Sequence, residues 1–255
     1  KALQVSYSLF SEPRIGKIKK DKLPKVLQNT ETETFQHDEH QFQTYIWKGN
    51  ENKILLVHGW ESNSSRWKKT LPYLLKSGST IIAIDAPAHG QSSGKEFNVP
   101  RYAEFINKVV EKHQPSIIIG HSIGGAACVY HQYLFPDSSI QKMVVLGAPS
   151  DLKTLIDNYI QMLSLNSKML TLLENRYLEH FKFKLEDFSG KKFASHITIK
   201  GIIAHDNTDK IVAFEEGKKI ASTWKNARFI ETTGLGHSMH DEALYQEIYH
   251  FLFED

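Results

Sequence analysis

The chain has 255 residues, and its 31 basic and 29 acidic side chains give a net charge of +2 at pH 7. A charge this close to zero argues against a protein that binds nucleic acid. The single cysteine, Cys128, excludes an intrachain disulfide and a thiolate metal cluster. No stretch reaches the roughly 18 apolar residues of a membrane-spanning helix, and the length suits one α/β domain with an insertion.

Residues 1–29 carry a surplus of positive charge that only Glu12 and Asp21 oppose. The basic residues include Arg14, Lys17, Lys19, Lys20, Lys22 and Lys25. Contact with a membrane surface is one interpretation, but the segment has no amphipathic apolar face to support it. We therefore predict a solvated N-terminal arm that wraps around the domain.

Strand-like and helix-like patterns alternate through the rest of the chain. Residues 30–35 and 42–47 alternate polar and apolar side chains around a polar turn, which predicts an antiparallel hairpin. Further strands, most of them continuously apolar, are predicted over 54–57, 80–84, 116–119, 142–146, 197–204 and 227–231. Helices are predicted over 65–76, 100–113, 123–134, 214–223 and 241–253. This alternation predicts a doubly wound, mainly parallel sheet with antiparallel strands at its N-terminal edge.

A serine stands at the turn between one predicted strand and the next helix. Three consecutive isoleucines lead into Gly120, and Ser122 is followed by Ile123, Gly124 and a helix that begins with small residues. A turn this sharp forces a strained backbone on the serine and requires glycines where the strand and the helix approach each other. The hydroxyl would then lie beside a helix N-terminus, where backbone N–H groups favour negative charge.

The segment 120–125, which reads G-H-S-I-G-G, resembles the nucleophile elbow of the α/β-hydrolase superfamily in its serine-hydrolase branch. The resemblance continues in family order from Ile54 to Met239. The segment I-L-L-V-H-G-W at 54–60 is similar to the strand and turn where that family places its oxyanion hole. Residues 85–92, D-A-P-A-H-G-Q-S, are similar to its D-x-P-x-H-G-x-S loop.

The resemblance implies that Ser122 is a nucleophile, which needs a base that titrates near pH 7. His237 follows the last predicted strand in a glycine-rich loop, which suits the Ser, Asp, His chain order of this fold. His240 is the nearest rival, but it would already enter the final helix. Asp206 and Asp209 both follow the preceding strand, so position alone does not decide which of them is the acid.

Asp209 is followed by Lys-Ile-Val, which matches the D-x-I-V of the family's acid turn, whereas Asp206 falls where that turn often has glycine. The resemblance therefore favours Asp209 as the acid that orients His237, and Asp206 as a turn or helix-capping residue. It also implies that the backbone N–H groups of Trp60 and Ile123 form the oxyanion hole.

Residues 151–196 lie between two predicted strands and carry apolar side chains at helical spacing, followed by several aromatic residues. The family inserts a cap over its active site at this point of the chain. The expected organisation is an arm at 1–29, an α/β-hydrolase core at 30–150 and 197–255, and a small helical cap at 151–196. An apolar cap implies an apolar acyl or alcohol group beneath it, although most of its side chains must pack against the core.

The resemblance implies a serine hydrolase, carboxylesterase-like, that cleaves an ester of a small, largely apolar molecule through an acyl-enzyme intermediate. A thioesterase, a C–C bond hydrolase or a perhydrolase on the same triad are alternatives. A ligand-binding protein of the same fold with slow or no turnover is an alternative of another class.

We expect no cofactor and no metal, because the pairs His37 with His40 and His237 with His240 lack further ligands at metal-binding spacing. The expected partner is a small-molecule substrate, and the oligomeric state stays open. With no signal peptide visible in the sequence, a cytoplasmic location is the default expectation.

Overall fold

The computed structural model of the protein describes residues 2–254, with side chains from Tyr7 onward. One sheet of eight strands forms its centre, in the order β1-β2-β4-β3-β5-β6-β7-β8. The strands are β1 (Glu31–His37), β2 (His40–Trp47), β3 (Asn50–Val57), β4 (Ser79–Ile84), β5 (Ile117–His121), β6 (Lys142–Leu146), β7 (Lys200–Asp206) and β8 (Ala227–Thr232). Strands β1 and β2 pair antiparallel at one edge, and β3 to β8 run parallel. The predicted doubly wound, mainly parallel sheet with an antiparallel edge is confirmed.

Helices cover both faces of this sheet. They are α1 (Ala2–Ser11), α2 (Lys25–Gln28), α3 (Leu71–Leu74), α4 (Val99–His113), α5 (Ile123–Leu134), α6 (Leu152–Met162), α7 (Ser167–Phe181), α8 (Gly190–Ala194), α9 (Phe214–Ala221) and α10 (Glu242–Phe253). Helices α4, α5, α8 and α9 pack in the hydrophobic cluster on one face. Helices α3 and α10 pack in the cluster on the other face. Two apolar layers thus bury the continuously apolar parallel strands from both sides.

Several predicted elements have other bounds in the structure. Strands β2 and β3 begin earlier than predicted, at His40 and Asn50. The helix predicted over 65–76 is broken into the 3₁₀ turn Ser64–Lys69, the short helix α3 and a second 3₁₀ turn. Pro72 lacks the N–H that a continuous helix would need and instead occupies the first turn of α3. Strand β7 begins at Lys200 and not at Ile197, because side chains of Trp224 and Asn226 bond the backbone carbonyls just before it.

A third hydrophobic cluster lies apart from the sheet. It joins Tyr7 of α1 to side chains of α6 and α7, namely Ile156, Tyr159, Leu173 and Tyr177. The residues from α6 to α8 therefore pack partly against the N-terminal helix and not only on the sheet. For residues 1–29 the sequence predicted a solvated arm, and neither helix α1 nor the burial of Tyr7 was predicted.

The register of the parallel strands brings their carboxyl ends to one edge of the sheet. Val57 pairs with Gly120, His121 with Leu146, and Leu146 with Ala204. Loops that follow these strands meet in the crevice at that edge. Within residues 2–254, no helix is long and apolar enough to cross a membrane.

Candidate active site

Ser122 occupies a sharp turn between β5 and α5. Its φ of 56° lies in the left-handed region, a conformation that costs a non-glycine residue on the order of 1–3 kcal/mol. Close packing explains why glycines surround it. A Cβ at Gly120 would lie 2.7 Å from Cys128 Sγ, and one at Gly124 would lie 2.3 Å from the His58 carbonyl oxygen. The turn therefore presents the Ser122 hydroxyl, which is largely shielded from solvent, above the edge of the sheet.

Three side chains that are distant in sequence form one hydrogen-bonded chain at this edge. Ser122 Oγ lies 2.9 Å from His237 Nε2, and His237 Nδ1 lies 2.7 Å from Asp209 Oδ2. Because a buried carboxylate only accepts, His237 Nδ1 carries the proton and Nε2 is left free to accept from the serine. This is the arrangement in which an imidazole can remove a proton from a hydroxyl.

The two aspartates at the carboxyl end of β7, Asp206 and Asp209, have different partners. Asp209 is buried, and its second oxygen accepts from the N–H groups of Ile211 and Val212 at 2.8 and 3.0 Å. Asp206 accepts from Thr208, from Thr232 Oγ1 and from the N–H of Leu235. Asp206 thus joins the acid turn to the loop that carries His237, and these hydrogen bonds hold its carboxyl pKa well below the ordinary value despite its burial.

The loop of His237 is held from below by two further side chains. His121 Nε2 donates to the His237 carbonyl oxygen at 2.7 Å, and Arg66 Nη2 donates to the Ser238 carbonyl oxygen at 2.9 Å. Burial lowers the pKa of His121, so its ring stays neutral near pH 7. His240, the rival base, does not reach the serine but contacts Tyr245 Oη at 2.5 Å.

Two buried histidines hold the loops that face Ser122. His58 Nδ1 donates to the Gly59 carbonyl at 2.7 Å and its Nε2 accepts from the Ala86 N–H at 3.0 Å. His89 bridges the Pro87 carbonyl and the Glu61 N–H in the same way. Burial lowers the pKa of His58 to about 4 and that of His89 to about 3, so both act as neutral braces.

The two residues predicted to supply the oxyanion hole, Trp60 and Ile123, lie near Ser122 in the chain fold. Ile123 follows it directly, and Gly59, next to Trp60, is so close that a Cβ there would lie 2.8 Å from Ser122 Cβ. Within residues 2–254, neither the Trp60 nor the Ile123 N–H has a backbone acceptor. Both residues line the same cavity as Ser122.

The site opens into an apolar cavity of about 290 Å³. Its sheet side is formed by residues of the core that surround Ser122, namely Trp60, Phe97, Val99, Ile123, Ile211 and Val212. A second part of its lining, called the opposite side below, comes from residues 151–196 and from α1. These lining residues are Leu9, Phe10, Leu152, Leu155, Tyr159, Met162, Tyr177, Phe181, Phe183 and Phe188. A small apolar ligand with one polar reacting group suits such a cavity.

Sequence reasoning missed several residues of this site. Gly147, at a φ of 56°, backs the acid and the imidazole, since a Cβ there would lie 3.6 Å from His237 Nδ1 and 3.7 Å from Asp209 Oδ2. His205 is fully buried, with Nε2 3.5 Å from Asp209 Oδ2. The glycine directly after a predicted strand was a signal for the first, but the sequence carried none for His205.

In the part of the chain that the structure describes, no group of three or more His, Cys, Asp or Glu side chains could hold a metal ion. His37 and His40 lie at the edge hairpin, and His237 is engaged with Asp209 and Ser122.

Comparison with known proteins identifies the family of the chain. The sequence model of the alpha/beta hydrolase fold family matches residues 52–197. The chain is 24% identical over 236 residues to the bifunctional esterase/perhydrolase DCH of Acinetobacter calcoaceticus, a match that covers 73% of this chain and 85% of that protein.

Two solved structures share the fold at low sequence identity. The bromoperoxidase of Bacillus anthracis superimposes with a TM-score of 0.69 at 19% identity, covering 88% of this chain and all of that one. The thioesterase domain of the curacin biosynthetic pathway superimposes with a TM-score of 0.66 at 15% identity, covering 89% of this chain and 100% of that domain.

Proposed function

Because this chain belongs to the alpha/beta hydrolase fold family, in which relatives are named esterase and serine hydrolase, we propose that it is a serine hydrolase acting on carboxylic esters. The observation that carries the proposal is the unbroken chain of hydrogen bonds that runs from Ser122, which lines an apolar cavity, through His237 to Asp209. Ser122 is the proposed nucleophile, His237 the base, and Asp209 the acid that orients it.

In the first half of the reaction, Ser122 Oγ attacks the ester carbonyl carbon while its proton passes to His237 Nε2. The carbonyl oxygen becomes an oxyanion, which accepts hydrogen bonds from the backbone N–H groups of Trp60 and Ile123. His237 then returns the proton to the alcohol oxygen as the carbon–oxygen bond breaks. The alcohol leaves, and the acyl group stays on Ser122.

In the second half, water takes the place of the alcohol. His237 Nε2 removes a proton from the water as its oxygen attacks the acyl carbon, and the same proton then goes to Ser122 Oγ as the acid is released. One ester and one water give one acid and one alcohol. The buried carboxylate of Asp209 stabilises the imidazolium form of His237 in both halves.

The cavity restricts the proposed substrate to a small, largely apolar molecule. Residues 151–196 serve as the proposed cap, since several of their aromatic and aliphatic side chains line the same cavity as Ser122. At about 290 Å³, the cavity lies at the lower end of the usual range for ligand pockets, roughly 300–1,000 Å³. Esters of short or medium apolar acids fit this space better than large polar molecules.

The test is hydrolysis of p-nitrophenyl butyrate by the wild type, by Ser122→Ala and by the matched control Ser139→Ala, which loses a hydroxyl outside the cavity. We expect kcat to fall by about 10⁶-fold for Ser122→Ala, as for other serine nucleophiles, and to stay within a factor of two for the control. Equal rates for all three proteins would rule out the proposed nucleophile.

Perhydrolysis is the second candidate, because the relative DCH is named both an esterase and a perhydrolase. In that reaction hydrogen peroxide replaces water as the attacker of the acyl-enzyme and releases a peracid. Competition between peroxide and water at a fixed ester concentration measures the ratio of peracid to acid formed.

Thioesters tested beside the p-nitrophenyl ester decide between an oxygen and a sulfur leaving group. They are included because a thioesterase domain has a similar fold.

A further inference from the structure

The N-terminal helix forms part of the cavity wall. Leu9 and Phe10 of α1 line the same cavity as Ser122. The Phe10 ring makes edge-to-face contacts with Tyr159 of α6, at a centroid distance of 5.1 Å, and with Tyr177 of α7, at 6.2 Å. Phe10 therefore closes the cavity between the two helices, on the side of the third hydrophobic cluster.

Specific contacts hold this helix in place. Tyr7, only 2% exposed, donates its hydroxyl to Glu96 Oε1 at 2.7 Å, and the Arg176 guanidinium lies 4.1 Å from the centre of its ring. Glu96 belongs to the core and Arg176 to α7. The helix is thus anchored to both sides of the cavity one turn before Phe10.

The residues that follow the helix are anchored to the loops around the site. The Ser11 carbonyl oxygen accepts from the N–H of Phe97 at 2.8 Å, and the Arg14 N–H donates to Glu61 Oε1 at 3.0 Å. Phe97 lines the cavity, and Glu61 follows Trp60 in the oxyanion loop. The N-terminal segment is therefore a fixed wall built into the site.

We propose that Phe10 is the end wall of the acyl-binding cavity and sets the longest straight acyl chain that the protein accepts. The inference rests on the proposed ester hydrolysis. Ser122 and Phe10 line the same cavity, and the Phe10 ring packs against Tyr159 of α6 and Tyr177 of α7, so an acyl chain on Ser122 that reaches these two helices would meet the ring. In a cavity this small, one methylene group more than fits costs about 10- to 200-fold in kcat/KM.

The experiment measures kcat/KM for p-nitrophenyl esters of straight-chain acids from two to fourteen carbons. Phe10→Ala should move the optimum to longer chains and raise the ratio of eight-carbon to four-carbon activity at least about tenfold. Phe10→Trp should move the optimum the other way. The control Phe35→Ala removes an equally half-buried ring that lies on β1, outside the cavity, and should leave the optimum in place.

A second measurement separates this inference from the proposed reaction. Calorimetry on Ser122→Ala, with and without Phe10→Ala, gives the affinity for straight-chain carboxylates of four to fourteen carbons. We expect affinity to stop rising at a shorter chain when Phe10 is present. The same cutoff and the same ester optimum with and without the Phe10 ring would overturn the inference. A shifted cutoff without ester turnover would support the end wall and overturn the proposed reaction.

Discussion

The two sides of the cavity are built by different kinds of contact. On the sheet side, hydrogen bonds fix each candidate catalytic group: Asp209 accepts from His237 and from two backbone N–H groups, and His121 and Arg66 hold the loop below His237. On the opposite side, aromatic and aliphatic side chains meet in contacts that have little directional preference. Met162 there is 70% exposed and Leu9 is 40% exposed.

This difference assigns separate tasks to the two sides. Directional bonds between buried groups allow only one arrangement, which a reaction with two proton transfers needs. Apolar contacts allow one side chain to be exchanged for another of similar volume at small cost. We therefore expect substitutions on the sheet side to change the rate of the chemical step, and those on the opposite side to change the choice of substrate.

Among the substitutions that compare the two sides, the largest expected effect is that of Asp209, with Asp206 at the end of β7 as its comparison. Asp209→Asn keeps the shape but favours the wrong imidazole tautomer, and we expect kcat to fall about 10⁴-fold. Asp206→Asn, the matched control, loses hydrogen bonds to the His237 loop, so we expect about a tenfold loss of kcat and roughly 2 kcal/mol of unfolding free energy. Steady-state kinetics and urea denaturation check both. A larger loss of kcat for Asp206→Asn would contradict the assignment of the acid.

A smaller loss is expected when the support below the base is removed. His121→Phe deletes the donor to the His237 carbonyl oxygen, and a shift of the imidazole by about 1 Å costs about 10²-fold in kcat. KM should stay unchanged, because His121 does not line the cavity. His121→Gln, which keeps an N–H donor on a flexible side chain, should recover part of the loss. Equal kinetics for the Phe and Gln variants would show that the hydrogen bond has no role.

On the opposite side of the cavity, Phe183→Ala tests the expected change in selectivity. Phe183 lines the cavity and packs between Phe181 and Phe188 at centroid distances of 5.7 Å. We expect KM for apolar esters to rise about tenfold through lost burial, while kcat stays within a factor of three. Steady-state kinetics with two esters of different chain length measure both KM and kcat. A loss confined to kcat would mean that the two sides are not separate in function.

The smallest effect concerns stability in acid. Burial lowers the pKa of His131 to about 4, whereas an unfolded histidine titrates near 6.5. As the pH falls below about 6.5, the unfolded chain therefore binds a proton on His131 that the folded chain does not bind. The contribution of neutral His131 to the free energy of unfolding is fully present above about pH 6.5 and declines as the pH falls toward 4. His131→Leu should reduce that slope by about 1.4 kcal/mol per pH unit in urea denaturation. Parallel pH profiles for both proteins would contradict this origin.

Much of the fold and of the candidate site could be predicted because its signals are local. The elbow around Ser122 depends on glycines within a few positions, and the loop order follows from strands that alternate with helices. Asp206 and Asp209 could not be separated by position in the sequence, since one ends β7 and the other follows it by three residues. Only the direction of each side chain gives them different partners.

The other side of the cavity was less predictable for a physical reason. Phe10 meets Tyr159 and Tyr177, which lie about 150 or more positions along the chain, and apolar contacts at that separation leave no spacing pattern in the sequence. The basic residues between Arg14 and Lys25 led instead to the prediction of a solvated arm. The burial of Tyr7 shows that packing, which composition does not report, decides the place of this segment.

The most direct test of the central claim is labelling with a fluorophosphonate, followed by intact-mass measurement and peptide mapping. We expect one phosphonyl group per chain on Ser122 and none on Ser122→Ala. For His237→Ala we expect the labelling rate to fall by at least about 10³-fold. A wild-type protein that stays unlabelled, or that carries the group on another residue, would contradict the account and favour a ligand-binding protein of the same fold.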